Sequence, residues 1–426
     1  MAAACCSGIW HQLERLSVTP PWIDGLGRSS DQLLPFLRLD EPGDRALAGL
    51  DDDGWRRLTE DAAAFNLLGI LGRRVQRAGL RVKMPVQSRN LVRSAVLATA
   101  TRKLQAMAAV GACVVKADRP VMLLKGSDLA QRYWGNIGQR TMLDIDILVH
   151  RQDLPMIDAA LREGGFRAGA ALEMADLPGE HHIVYAAPAG GLAVEVHWRL
   201  SRHVADGIDL DELWGRSLSA QLGEAPARCM APSDLLPYLS SHLAHHLYWT
   251  SLNQIWDMAE VLMAEGPLLD WAASWEAARR WKLENSMALA LELMRSILAP
   301  PVAVTNCGVS VPAALVDAAR GEIDRHVRGL PPTLGEGRLL DIMVGTEPPV
   351  AKAVHFLRAA FPSPSALAAK QGLTGNPAAL ARGYVRHWRH LASTRGPALW
   401  RWLIRDRDFD HVRRRAAAMR HWVESG

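Results

Sequence analysis

The sequence predicts an α+β protein, a small mixed-sheet core flanked by N-terminal and C-terminal helical regions. Three observations carry that expectation. Residues 1–115 place apolar side chains at three- and four-residue spacing with Arg and Lys between them, the period of amphipathic helices. From Pro120 to about Leu200 the pattern changes to short β-rich runs, "VMLL", "IDILV", "HIVYAA" and "LAVEVHW", bounded by Gly, Pro and Asp. After Asp206 the helical period returns and continues almost to the end. The expected divisions are a helical region over 1–115, a core over 116–206 and a second helical region over 207–426.

In the first region "DQLLPFLRL", "GWRRLTEDAAAFNLLGILGRRVQRAG" and "VQSRNLVRSAVLATATRKLQAMAAVGA" each read as helix. In the core the first two β runs are followed by helical stretches, near Asp128 to Tyr133 and Leu154 to Gly164. The last two runs are joined by "PAGG", a hairpin turn. That combination favours a mixed sheet carrying helices over a doubly wound parallel one. In the last region the helical pattern breaks at "GEAPARCMAPSD", "APPVAVTNCGVSVP", "GLPPTLGEG" and "AAFPSPSALAAKQGLTGNP", and no repeat of fixed period is present.

With 426 residues, 49% hydrophobic and 22% charged, the chain is long enough for two or three domains and resembles the average soluble protein, which excludes disordered and fibrous classes. The net charge of +4 gives no overall argument for nucleic acid, although charge can still gather locally. No apolar run approaches the roughly 18 to 20 residues that cross a bilayer. The start "MAAACCSGIWHQLERL" also lacks a basic segment followed by a long apolar one, so a cytoplasmic protein is expected. The cysteines Cys5, Cys6, Cys113, Cys229 and Cys307 are odd in number and lack the paired spacing of a zinc site, which fits a reducing compartment.

Chemistry concentrates in "VMLLKGSDLAQRYWGNIGQRTMLDIDILVH", residues 121–150. As a strand, "LDIDILV" turns Asp144 and Asp146 to one face and Ile145 and Ile147 to the other. Two carboxylates so placed repel each other unless something positive pairs with them. Mg²⁺, which takes oxygen ligands and keeps waters or phosphate oxygens, suits that place. An Asp-x-Asp alone is common and often marks an exposed strand end. Two further features strengthen it. "LLKGS" ends a strand and opens a helix, so Gly126 permits close backbone approach while Ser127 and the first helical N–H groups can hold phosphate. "LAVEVHW" sets Glu195 among apolar residues of another strand, with His197 on the same face.

The segments Lys125-Gly126-Ser127, Arg140-Thr-Met-Leu-Asp144-Ile-Asp146-Ile-Leu-Val and Val194-Glu195-Val-His197-Trp198 together resemble a bacterial branch of the nucleotidyltransferase superfamily. That superfamily shares the DNA polymerase β-like core and includes aminoglycoside nucleotidyltransferases. The likeness extends to "RKLQAMAAV", the "HHIVYAAPAGGLAVEVHW" hairpin, "SSHLAHHLYWTSLNQIWDMAEVL" and "FPSP", nearly the whole chain. Ser127 precedes Asp144 by seventeen residues, more than in many superfamily members, which leaves the role of "RYWGNIGQR" open.

The resemblance implies Mg²⁺-dependent transfer of a nucleoside monophosphate from an NTP to an acceptor, with release of pyrophosphate. It implies two Mg²⁺ ions bridged by Asp144 and Asp146, with Glu195 as third metal ligand or general base. It also implies Ser127 and the Gly126 backbone on the β- and γ-phosphates, and Lys125 and Arg140 neutralising phosphate charge. The plain alternatives are a solvated strand-end lysine for Lys125 and, for Arg140, a salt bridge to an aspartate of the same loop.

His242 and His246 in "HLAHH" lie one turn apart, but no glutamate follows His242 as a metalloprotease requires, so they read as structural or as lining the active site, with Asp257 a dozen residues on. His181 and His182 precede the hairpin, and His182 and His197 are further candidates beside the carboxylates. The C-terminal stretch interleaves Arg with Trp388, Trp400, Trp402 and Trp422, which suits RNA or an anionic membrane surface and equally suits an amphipathic helix with Trp in the core. Two other functions fit the same residues: an Asp-x-Asp glycosyltransferase, and a non-catalytic nucleotide-binding module. The acceptor stays open between a small molecule such as an antibiotic, a peptide natural product, a protein side chain and tRNA.

Overall fold

The computed structural model describes residues 33–425 except 170, 171, 173–179, 201–207, 306, 307, 329, 331–356, 358, 359, 363, 365, 366, 368–375 and 404–406. Cys5, Cys6 and Cys307, and the side chain of Trp402, lie outside the described residues. Cys113 and Cys229 are buried free thiols.

Helices come first. The short α1 (Leu34–Leu37), α2 (Glu41–Ala48), α3 (Asp52–Ala64) and α4 (Leu68–Arg77) precede α5 (Val86–Ala117), which runs for 32 residues. Asp40 and Asp51 cap α2 and α3 by accepting from the N–H groups of Gly43 and Gly54, which otherwise have no partner within the helix.

The sheet follows, from β1 (Met122–Leu123), β2 (Asp144–Leu148), β3 (Arg167–Ala168), β4 (His182–Ala186), β5 (Ala193–His197), β6 (Leu218–Leu222) and β7 (Ala225–Cys229). Its order is β3-β4-β5-β2-β1-β7-β6. β2 is parallel to β5 and β1 to β7, while the remaining neighbours are antiparallel, so the sheet is mixed and the protein is α+β, as its periodicities predict. α6 (Lys125–Arg132) follows β1 and α7 (Leu154–Glu163) follows β2. The β4–β5 hairpin turns through residues 188–190, where Gly190 takes φ +75°.

Beyond Asp206 the periodicity predicts helices alone, and here the structure differs. After α8 (Leu210–Arg216), "LSAQL" and "APARC" pair as β6 and β7 around Gly223, at φ +60°, and β7 joins the sheet beside β1. Neither run is rich in β-branched residues, and Pro226 counts against a strand. Tertiary partners decide instead: β1 completes the ladder, and α5 approaches so closely that a side chain at Gly111 would meet the Leu222 carbonyl.

A helical layer closes the other face, from α9 (Pro232–His245), α10 (Leu252–Glu265), α11 (Trp271–Arg280), α12 (Glu284–Leu298) and α13 (Ala313–Val327). α14 (Pro377–Leu403) and α15 (Arg407–Glu424) end the chain, and α15 returns to the core through Ala416 and Met419. Trp388 and Trp400 are exposed and Trp422 is half-buried. No described helix is long and apolar enough to cross a membrane.

Two cores flank the sheet. Ile145 and Ile147 of β2 and Val194 and Val196 of β5 pack with Val110 of α5 and Ile157 of α7. Leu148 instead packs with the cluster containing Leu239 and Leu243 of α9 and Trp256 of α10. By strand alternation Asp144 and Asp146 share the side of Leu148 and so face the C-terminal helices.

Candidate active site

Register builds the site. Parallel pairing sets Asp146 opposite Glu195 and Leu148 opposite His197, and antiparallel β4 sets His182 opposite His197. The Leu124 N–H donates to the Asp146 carbonyl at 3.0 Å, which brings the next residue alongside β2. There Lys125 places its Nζ 3.1 Å from Asp146 Oδ1, with both side chains largely buried. Lys125 takes φ +39°, a left-handed conformation that disfavours an L residue and that clusters at functional turns. Lys125 is therefore a positive partner for Asp146 supplied by the chain itself, beside the Mg²⁺ that the sequence suggests.

One amine does not match three carboxylates. Against its own burial, Lys125 and His197 hold Asp146 well below the usual carboxylate range. Burial pushes Asp144 up, and the charges of Asp146 and Glu195 push it further. His197 donates or accepts at Nε2, 3.1 Å from Asp146 Oδ1 and 3.4 Å from Glu195 Oε2; against burial, these two acids raise its pKa. One atom each of Asp146, Glu195 and His197 lie within 4.8 Å of one another, a spacing that one cation can bridge. Asp144 shares their face and lies outside that group of three.

Ser127 is fully buried and its Oγ has no hydrogen-bond partner among the described residues, at the start of a helix whose first N–H groups also lack intrahelical acceptors. A buried hydroxyl left in that state is unfavourable, and an anionic oxygen would satisfy it.

Arg140 departs from expectation. Its Nε and Nη2 donate to Asp257 Oδ1 and Oδ2 at 2.8 and 2.7 Å, in a buried two-pronged pair, and Trp134 Nε1 donates to the same Oδ1 at 2.7 Å. Two of its three nitrogens are committed to that carboxylate, and Nη1 lies 3.4 Å from the Thr141 carbonyl. The aspartate comes from α10, more than a hundred residues away, because the fork geometry of guanidinium matches a carboxylate that the helix holds in place. Gly126 is required for a related reason: a Cβ there would sit 2.8 Å from Arg140 Nη1.

The same contacts give "RYWGNIGQR" a role. Lys103 on α5 is buried and donates to the carbonyls of Ile137, at 2.6 Å, and Arg140. Arg73 of α4 donates to the Tyr133 carbonyl and Gln139 to Gln76. Gly69 and Gly138 have backbone where a Cβ would lie. This segment is a buttress that ties α4, α5 and α10 to the start of β2.

Across the carboxylates stands α9. Tyr238 is buried, its hydroxyl unpartnered among the described residues; burial raises its pKa, opposed by Lys125 and reinforced by Asp146 and Glu195. One turn on, burial drives the His242 pKa far below its ordinary value, and Lys125 and His246 push the same way. Sequence reasoning finds His242 but misses Tyr238 and Lys103. The four-residue spacing of Tyr238 and His242 is visible, but nothing local says which face of α9 meets the sheet.

With this geometry in hand, comparison with known families is decisive. The model of the family described as uncharacterised nucleotidyltransferase matches residues 51–299, more than half of the chain. The chain belongs to that family. The match runs from α3 to the end of α12 and so contains every described strand of this nucleotidyltransferase. Comparison with curated proteins and with solved structures finds no match. Nucleotidyl transfer displaces the glycosyltransferase and the non-catalytic module as the class of activity. Enzymes of this class act on a nucleoside triphosphate and generally use divalent metals, and the residues fit one: oxygen donors in excess of the single amine, converging on one face of the sheet.

Proposed function

We propose that this nucleotidyltransferase moves a nucleoside monophosphate from an NTP to an acceptor, in a Mg²⁺-dependent reaction that releases pyrophosphate, on a DNA polymerase β-like core. The observation that carries the reading is the register of Asp146 on Glu195, with Asp144 on the same face and Lys125 beside them. Asp144, Asp146 and Glu195 would hold the metal, as two ions. When bound, the metal supplies charge neutralisation for the triphosphate and a lowered pKa for the acceptor hydroxyl.

The chain's own residues supply the rest. Ser127 and the first N–H groups of α6 hold the β- and γ-phosphates, and Lys125 offers positive charge where negative charge gathers on the leaving pyrophosphate. The acceptor oxygen attacks the α-phosphorus, the bond from that phosphorus to the bridging oxygen of the β-phosphate breaks, and the acceptor proton goes to Glu195 or, where Glu195 ligates the metal, to solvent water. Arg140 and Asp257 hold the Gly126 turn in place instead of touching substrate. Tyr238, with the neutral His242, forms the wall opposite the carboxylates.

Incubation with α- and γ-labelled NTPs, Mg²⁺ and candidate acceptors from each open class tests this. Label from the α-phosphate is expected on the acceptor and label from the γ-phosphate in pyrophosphate, both lost in Asp146→Asn. Transfer of a sugar from a nucleotide-sugar with no phosphorus incorporated would overturn it.

A further inference from the structure

We propose that His181, His182 and His197 form a second site, a nitrogen-donor site for a divalent transition ion of the zinc or cobalt class, which shares His197 with the carboxylate group. One ring nitrogen or other from each of the three lies within 4.8 Å of those of the other two. The β4–β5 hydrogen-bond ladder and its extension fix the backbone. His182 pairs with His197 across β4 and β5, and the Trp198 N–H donates to the His181 carbonyl at 3.0 Å.

The rings are gathered as ligands are. His182 stacks on His197 with centroids 4.9 Å apart, and His181 meets His182 edge-on at 4.3 Å. His181 Nε2 and His182 Nδ1 are hydrogen-bonded at 3.0 Å, a contact whose proton a metal ion would replace and whose length is close to the roughly 3.3 Å between two nitrogens bound tetrahedrally at bonds of about 2.0 to 2.1 Å. His197 divides its two nitrogens. Nε2 faces Asp146 and Glu195, whereas Nδ1 is buried and has no hydrogen-bond partner among the described residues. When Nε2–H is donated to those acids, Nδ1 carries the lone pair, the arrangement in which a carboxylate orients a metal-binding histidine.

Ligand chemistry separates this site from its neighbour. Three imidazoles select zinc, cobalt or nickel over magnesium, which prefers carboxylate and phosphate oxygens. A set of three leaves at least one coordination position for water or substrate.

The test is a Co²⁺ titration of the full, metal-free chain without nucleotide, followed by visible absorption. Saturation at one equivalent, with ligand-field bands that survive a hundredfold excess of Mg²⁺, is expected. The bands should persist in Asp144→Asn and disappear in His182→Ala and in His181→Gln. His181→Gln is the variant of record if His182→Ala unfolds, because His181 is half-buried and precedes the strand. Absent bands, bands removed by Mg²⁺, or bands unchanged in a folded His181→Gln would overturn the proposal; the last would place the ion on Asp146, Glu195 and His197. Since no nucleotide enters, none of these results bears on the proposed transfer reaction.

Discussion

Two buried pairs of cation and carboxylate lie on either side of Gly126, and they are matched to different degrees. Arg140 and Asp257 are one cation and one anion joined by two parallel hydrogen bonds, with Trp134 donating to the remaining capacity of the carboxylate. Lys125 and Asp146 are a point charge and one of three acids, with Asp144 and Glu195 crowding the same face. A buried pair that is complete specifies packing and has no use for a further ligand. One with surplus negative charge is stable only because water, protons or added cations offset it. The difference separates a residue that holds the site from residues that act in it.

The largest effect should come from the surplus side. Asp144→Asn is expected to reduce transfer of α-phosphate label to background while leaving the apo protein as stable as before or slightly more so, since it removes like-charge repulsion. Urea denaturation beside the transfer assay checks both halves. A metal-dependent stabilisation by NTP that persists in this variant would dissolve the contrast.

Next in size is the complete pair. Asp257→Asn leaves Arg140 charged, buried and without its anion, so unfolding free energy should fall by about 3 to 5 kcal/mol. A loss below 1 kcal/mol in the same denaturation series would show that water reaches Arg140 and that the pair is not closed.

Ser127→Ala sharpens the phosphate side. The hydroxyl has no partner among the described residues, so its removal should cost no stability, whereas NTP affinity should weaken by about 1 to 3 kcal/mol, the worth of a hydrogen bond to a charged acceptor. Calorimetric titration with NTP measures it; unchanged affinity takes Ser127 out of the site.

The smallest effect lies in the buttress. Burial lowers the Lys103 pKa from 10.5 to about 7, with Arg140 adding to the shift. Its folded pKa is depressed, so between about 7 and 10.5 the unfolded chain binds more protons and stability rises with pH, by up to about 1.4 kcal/mol per pH unit. Between pH 7 and 8 the gain should be near 1 kcal/mol, and Lys103→Met should flatten it. An equal slope in the variant would assign the window to another group.

Much of the site was legible because its chemistry is local. Alternation along "LDIDILV" puts Asp144 and Asp146 on one face whatever surrounds them, and "LAVEVHW" does the same for Glu195 and His197. The "PAGG" turn announces the hairpin that carries Glu195. Lys125-Gly126-Ser127 sits at a strand-to-helix turn because a glycine between an apolar run and a helical period reads that way. The β6–β7 hairpin was illegible: "LSAQL" and "APARC" have weak strand preference of their own and pair because β1 leaves a partner position open.

Residue types and short-range spacing thus determined the α+β class, the elements up to β5 and the shared faces of Asp144 with Asp146 and of Glu195 with His197, since those depend on backbone periods of a few residues. Only the tertiary structure decided who answers each charge. Arg140 finds Asp257, Asp146 finds Lys125 and His197, and Lys103 finds the carbonyls of Ile137 and Arg140. Each of these choices spans more than twenty residues of chain. It is set by which helix face is driven against the sheet, a consequence of burying two separate apolar cores that no local pattern encodes.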